Sequence, residues 1–246
     1  MIQGIIDKAI AVARAEKNLT RISSGKFNVS DAGKCRLMRY WKRQGKTIVE
    51  PDERAFRVFE VGHIIEKWVI SMLNTKTAPI TFQEQVLVED EHRKGFADLI
   101  FYTPDSQTIL YDIKTVHSRK FWRNEKEGWD KADLHYKCQV LTYNSMLPKP
   151  CNSLRLLYVS KDDLCMAEVG VTGNESAPEG DTTALNIKEY CDYDWLYLIN
   201  RWKAKIEPIA NPMAWECEYC GYKDTCEFKL VKVAKVKKGK KEAEAI

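Results

Sequence analysis

Four cysteines set the strongest constraint on this chain. Cys217, Cys220 and Cys226 stand in C-x2-C-x5-C spacing near its end, and Cys35 lies 182 positions upstream of the first of them. That spacing reads as metal ligation rather than disulfide pairing. If the four share one centre, the two ends of the chain must meet, and the body between must fold so as to let them. Cys138, Cys151, Cys165 and Cys191 show no ligand spacing and read as plain thiols. The first nineteen residues lack the uninterrupted apolar core of a secretory signal, and no run approaches the roughly 18 apolar residues of a membrane span. A cytosolic, reducing location is therefore expected, where eight cysteines serve as thiols and ligands.

The pattern between those ends changes character once. Met1–Lys17, Ala32–Gln44 (capped from Asn28–Asp31) and Ala55–Leu73 carry helical periodicity, the last with Phe56, Phe59, Ile64, Val69 and Met72 among its apolar positions. Thr81–Val88, Phe96–Tyr102 and Ile109–Val116 then read as strands joined by a charged turn and a Pro-containing turn. Ala132–Leu147 returns to helix and is stopped by Pro148 and Pro150, Leu154–Ser160 and Cys165–Val171 form a further strand pair, and Thr183–Ile206 is a last long helix. Helix, three strands, helix, strand predicts an α/β core with a mixed sheet. The domain reading is an N-terminal helical region (1–54), a core (55–207), a cysteine segment (208–229) and a lysine-rich tail (230–246).

Charge says little about partners. From Lys229 to Ile246 seven lysines and two glutamates contribute +5 to the net +4, so the body carries −1. The tail is most simply a solvated, disordered end, with a weak hold on DNA backbone as the alternative. Any phosphate-binding surface must be a local patch.

The chemistry concentrates where the period switches. Asp98 closes Gly95-Phe96-Ala97-Asp98 on one strand, and Asp112 and Lys114 stand two apart on the next, so both project from one face. A hairpin brings Asp98 beside Asp112, and facing carboxylates repel unless a cation lies between them. The all-oxygen set suits a hard ion such as Mg²⁺ or Mn²⁺. Lys114 beside it could orient the attacking water, or deprotonate it if its pKa were lowered. Gln139 and Tyr143, at i and i+4, share a helix face.

These residues resemble the PD-(D/E)XK nuclease superfamily, in its RecB-like branch. The resemblance implies a restriction-endonuclease-like core and a metal held by Asp98, Asp112 and the carbonyl of Ile113, with Gln139 and Tyr143 as the supporting Q-x-x-x-Y pair. Ala97 occupies the place of the proline that names the motif. Gly62-His63-Ile64-Ile65-Glu66 is similar to the family's G-x-x-x-H segment, but Glu66 stands where the histidine belongs. Glu66 is therefore preferred to His63 as a further ligand, a carboxylate being the harder donor. One cysteine before the core and three after it resemble relatives that carry a 4Fe–4S cluster, among them CRISPR-associated adaptation nucleases and AddB-type nucleases. Zn²⁺ on four cysteines is the competing ligand reading.

The resemblance implies a metal-dependent DNA exonuclease acting on single strands or ends. A nucleic-acid-binding subunit of a recombination, repair or CRISPR adaptation assembly, with a dormant or partner-dependent nuclease, is the alternative. A zinc-stabilised structural protein is a weaker third. Between His117 and Lys131 basic and aromatic residues interleave, which suits either a single-strand path or a loop packing its tryptophans inward.

Overall fold

The computed structural model describes residues 24–49, 52–74, 81–129, 133–177 and 185–230, with several of the first thirteen. The helix expected over 1–17 lies largely outside these residues, and the tail over 230–246 almost wholly so. The switch from helical to extended patterning produces a mixed sheet. Its strands are β1 (Phe27–Asn28), β2 (Thr81–Glu89), β3 (Arg93–Tyr102), β4 (Thr108–Val116), β5 (Ser153–Ser160) and β6 (Met166–Gly170). The order runs β1-β3-β4-β5-β6, with β2 pairing β3 outside this path. Both β2–β3 and β3–β4 are antiparallel hairpins, whereas β4 and β5 run parallel across a helical crossover. The mixed α/β architecture expected from the sequence is the one observed.

Helices α1 (Arg36–Gln44), α2 (Glu53–Leu73), α3 (Ser118–Glu127), α4 (Leu134–Met146), α5 (Ile187–Lys203) and α6 (Ala214–Tyr219) surround the sheet. On one side, Leu134, Cys138, Val140 and Leu141 of α4 join Leu110, Leu156, Trp195 and Leu198 in the main core. On the other, Ile65, Val69 and Ile70 of α2 pack on Ile113 and Val159. Helix α2 starts where Asp52 accepts the Ala55 N–H at 2.7 Å, an N-cap. It approaches β4 closely at Gly62, where a Cβ would stand 3.1 Å from Thr115 Oγ1.

Several local expectations need correction. Helix α1 begins at Arg36, not Ala32: Val29–Asp31 form a 3-10 turn and Cys35 takes the N-cap position. Asn28 makes no side-chain cap, and the Asp31 carboxylate turns inward to Lys34, at 3.0 Å, and Lys42. In α2 Val69 is buried as expected, but Phe59, Ile64 and Met72 are exposed and Ile65 and Ile70 complete the buried stripe instead. The stretch after β4 is helical. Helix α5 starts at Ile187, where Asn186 and Glu189 exchange a capping box.

One feature of the packing had no signature in the sequence. Arg36 Nε donates to Asp194 Oδ1 at 2.6 Å, and Arg39 Nη2 donates to Asp194 Oδ2. All three residues are buried, so this triad ties α1, and with it Cys35, to α5. Removing the carboxylate would strand two buried guanidinium groups. Asp194→Ala is expected to cost about 3–5 kcal/mol in denaturant unfolding; a loss below about 1 kcal/mol would show the triad to be dispensable.

Candidate active site

Strand β3 is partnered on one edge by β1 only at Arg93–Lys94, and by β4 only from Leu99 to Tyr102. Residues 95–98 lie in the gap, where β3 and β4 have separated past the Leu99–Tyr111 pair. Asp98 spans that gap: its Oδ2 accepts the Ile113 N–H at 2.7 Å, in place of a strand partner. Asp112 is wholly buried, with Oδ2 at 2.6 Å from Lys114 Nζ and Oδ1 accepting from Gln139 Nε2 at 3.0 Å. Gln139 Nε2 also reaches the Tyr143 hydroxyl at 3.0 Å. The two residues therefore share a helix face and a hydrogen bond. Gly95 makes room for this arrangement, since a Cβ there would lie 2.7 Å from the Tyr143 ring and 2.9 Å from Val29.

Helix α2 adds Glu66, whose Oε1 accepts from Gln85 Nε2 at 2.9 Å. Gln85 was not anticipated. It stands in β2 opposite Asp98, between the Glu84–Leu99 and Val86–Ala97 pairs, with a left-handed φ of 49°. A non-glycine residue held there costs energy, and such strain concentrates at functional sites. Nothing in the Thr81–Glu89 pattern marks it. His63 lines the same cleft but is exposed and sits 3.5 Å from Glu60.

The charges do not balance. Burial pushes Glu66 up to about 7, with Asp98 adding to the rise. Burial does the same to Asp112, also to about 7, with Asp98 and Glu66 opposing the relief that Lys114 gives. Asp98 is raised too, mainly by burial. For Lys114 burial disfavours the ammonium, yet Asp112 and Asp98 outweigh it and hold the amine above the ordinary lysine range. The lowered lysine pKa needed for a general base is therefore not what this arrangement produces. Three carboxylates face one ammonium, a hard-oxygen set with an excess of negative charge that a divalent cation would neutralise. Among the described residues, no group of three or more His, Cys, Asp or Glu is drawn tightly enough to hold an ion as it stands.

The sequence profile of the PD-(D/E)XK nuclease superfamily matches residues 13–227. The chain belongs to that superfamily. The crystal structure of SSO0001 is similar at a TM-score of 0.60 with 19% identity, over 94% of this chain and 100% of that one. An alkaline exonuclease from Laribacter hongkongensis (LHK-Exo) is similar at a TM-score of 0.50 with 14% identity, over 75% of this chain and 91% of that one. Its complex with dAMP gives the same TM-score and identity, over 74% and 90%. At these identities the likeness is one of fold. No curated protein matches the chain.

In this PD-(D/E)XK chain the four spaced cysteines gather on one cavity of about 740 Å³, lined also by His135, Trp41 and Trp215. None is in a disulfide. Burial raises the Cys220 thiol, and Cys35, Cys226 and Cys217 raise it further, so all four lie within electrostatic reach of one another. The Tyr222 N–H reaches Cys220 Sγ at 3.5 Å. Cys138 and Cys191 instead meet in the core between α4 and α5.

Within the described part of the His117–Lys131 stretch the aromatic rings divide, and Trp122 is 49% exposed with its Nε1 donating to Asp163 at 3.0 Å. Phe121 is buried, Trp129 stacks on Tyr158 at 4.7 Å, and none of these residues lines the nuclease cleft. Among the described residues, no helix is long and apolar enough to cross a membrane.

A pH signature follows from the carboxylates. Between about pH 4 and about pH 7, the metal-free folded protein holds protons on Glu66 and Asp112 that the unfolded chain has released. Their contribution to stability is thus greatest at low pH and falls as pH rises through that window. Asp112→Asn should flatten this decline in thermal unfolding followed from about pH 5 to about pH 8. Parallel curves for parent and variant would contradict the assignment.

Proposed function

We propose that this chain is a Mg²⁺- or Mn²⁺-dependent deoxyribonuclease, an exonuclease acting mainly on single-stranded DNA or ends. The observation that carries the reading is the convergence of Asp98, Lys114 and Glu66 on one cleft, with Asp112 buried behind them against Lys114 and Gln139 and the carboxylates undercompensated. Membership of a nuclease superfamily and the fold shared with an exonuclease support it. Glu66, Asp98, Asp112 and the Ile113 carbonyl would hold the ion, which would supply electrophilic stabilisation of charge developing on the phosphate.

The chain's own groups do the rest. The Lys114 ammonium, steered by Asp112 at 2.6 Å, donates to the attacking water or a phosphate oxygen and positions it. Gln139 fixes Asp112 from below, and Tyr143 fixes Gln139. Asp98 keeps the gap open by bridging to the Ile113 backbone. Gln85 holds Glu66 toward the same point.

A 4Fe–4S cluster on Cys35, Cys217, Cys220 and Cys226 is the second part of the proposal. Four thiols around a single cavity, one from the start of α1 and three from the C-terminal segment, suit a group that joins the two ends. Its work would be structural.

Incubation of end-labelled single-stranded DNA with Mn²⁺ should give degradation by the parent, and at least about 100-fold slower degradation by Lys114→Ala. Equal rates would remove Lys114 from the mechanism, and no cleavage by the folded parent would favour a dormant subunit. Separately, Cys217→Ala should lose bound iron and unfold at lower temperature. A parent that carries zinc, or a variant unchanged in both measures, would overturn the cluster.

A further inference from the structure

The His117–Lys131 stretch suited equally a single-strand path and a loop packing inward, and none of its described residues lines the cleft. Of the phenylalanine and tyrosine rings that do line it, Phe27, Tyr143 and Tyr222 are buried and Phe96 alone is exposed. Lys94, Phe96 and Asp98 alternate along β3 and all line the cleft, while Ala97 between them is fully buried. Phe96 therefore stands two residues, about 7 Å, from Asp98. It is 47% exposed and makes none of the ring–ring contacts found among the described aromatic residues. Its cross-strand neighbour Leu87 is 51% exposed, and Ile48, which also lines the cleft, is 38% exposed. An apolar patch beside so polar a site is costly to leave in water, which marks it as a contact surface.

The cations of the cleft are arranged differently. Lys26 pairs with Glu89 at 3.0 Å, Lys42 with Asp31, Arg39 with Asp194, and Arg43 with the carbonyls of Gly25 and His92. Lys46 has no carboxylate partner among the described residues. Its ammonium rests 3.4 Å from the Trp41 ring centroid. Its backbone is pinned from both sides, the N–H to Trp41 O at 3.0 Å and the carbonyl by the Tyr222 hydroxyl at 3.2 Å. A ring for a base and an available ammonium for a phosphate thus border one cleft of about 860 Å³.

We propose that Phe96 is the specificity-determining residue of the cleft, stacking on an unpaired nucleobase next to the phosphate presented at Asp98, with Lys46 holding a neighbouring phosphate. This rests on the nuclease reading and gives it a physical basis for choosing single strands. A base in a duplex is already covered on both faces, whereas an unpaired one offers a face to the ring. Every base has such a face, so the contact selects strandedness without reading sequence.

The test is equilibrium binding by fluorescence anisotropy in chelator, where no hydrolysis intervenes. Three labelled probes serve: a single strand, the same strand with abasic positions, and its duplex. Phe96→Ala should weaken binding of the normal single strand about 5- to 100-fold. It should leave the abasic strand and the duplex unchanged, and Phe96→Trp should restore affinity. Lys46→Ala should weaken single-strand and abasic probes alike and reduce the salt slope by about one. Equal loss on normal and abasic strands, no loss on either, or no single-strand binding by the parent would each overturn the proposal. A parent that binds in this pattern but cuts nothing with Mn²⁺ would sink the nuclease reading and leave the stacking role intact.

Discussion

The site depends on the separation of β3 from β4. Past the Leu99–Tyr111 pair the two strands stop bonding, and one side-chain hydrogen bond, Asp98 to the Ile113 N–H, spans the space left. Were the ladder to continue, Asp98 and Asp112 would be an ordinary cross-strand pair with no room between them. Because it stops, a backbone donor that needs a partner receives a carboxylate instead of a carbonyl. An acidic group is thereby brought into the sheet beside a second buried acid. The Ile113 carbonyl lies in the same stretch, so a hard cation would meet backbone and side-chain oxygens together.

Burying two or three carboxylates beside one ammonium is unfavourable, and the surroundings show how the fold tolerates it. Gln139 gives both amide hydrogens to the arrangement, one to Asp112 and one to Tyr143. Gly95 and Gly62 allow α4 and α2 to close on the strands without a Cβ in the way. Gln85 accepts a left-handed backbone to reach Glu66. The left-handed Gln85 and the buried acids cost stability locally, and the two apolar cores on either side of the sheet offset it. The Asp194 triad joins α1 to α5, and the cysteine segment shares a cavity with α1.

Much of this was legible in the sequence because it rests on short-range patterns. Asp112 and Lys114 at two-residue spacing, and Gln139 and Tyr143 at four, state their own geometry once strand and helix are assigned. Glu66 was singled out over His63 on α2, and in the structure it accepts from Gln85 and lies within electrostatic reach of Asp98, while His63 is exposed. What escaped were properties decided by three-dimensional partners. Gln85 looks like any strand glutamine, and neither its left-handed φ nor its bond to Glu66 leaves a mark in the strand pattern. The offset of the α2 stripe and the packing of Phe121 and Trp129 depend on which helix face meets the sheet. The protonated state of Lys114 depends on two carboxylates 2 and 16 positions away in sequence, whose joint effect no motif states.

The central claim is that the buried acids require a divalent cation, so the most direct measurement is metal binding itself. Titration calorimetry of the folded protein with Mn²⁺ should give saturable binding at the acidic site, lost in Asp98→Asn while the variant remains folded. Affinity unchanged by Asp98→Asn, or no binding to the parent, would contradict the account.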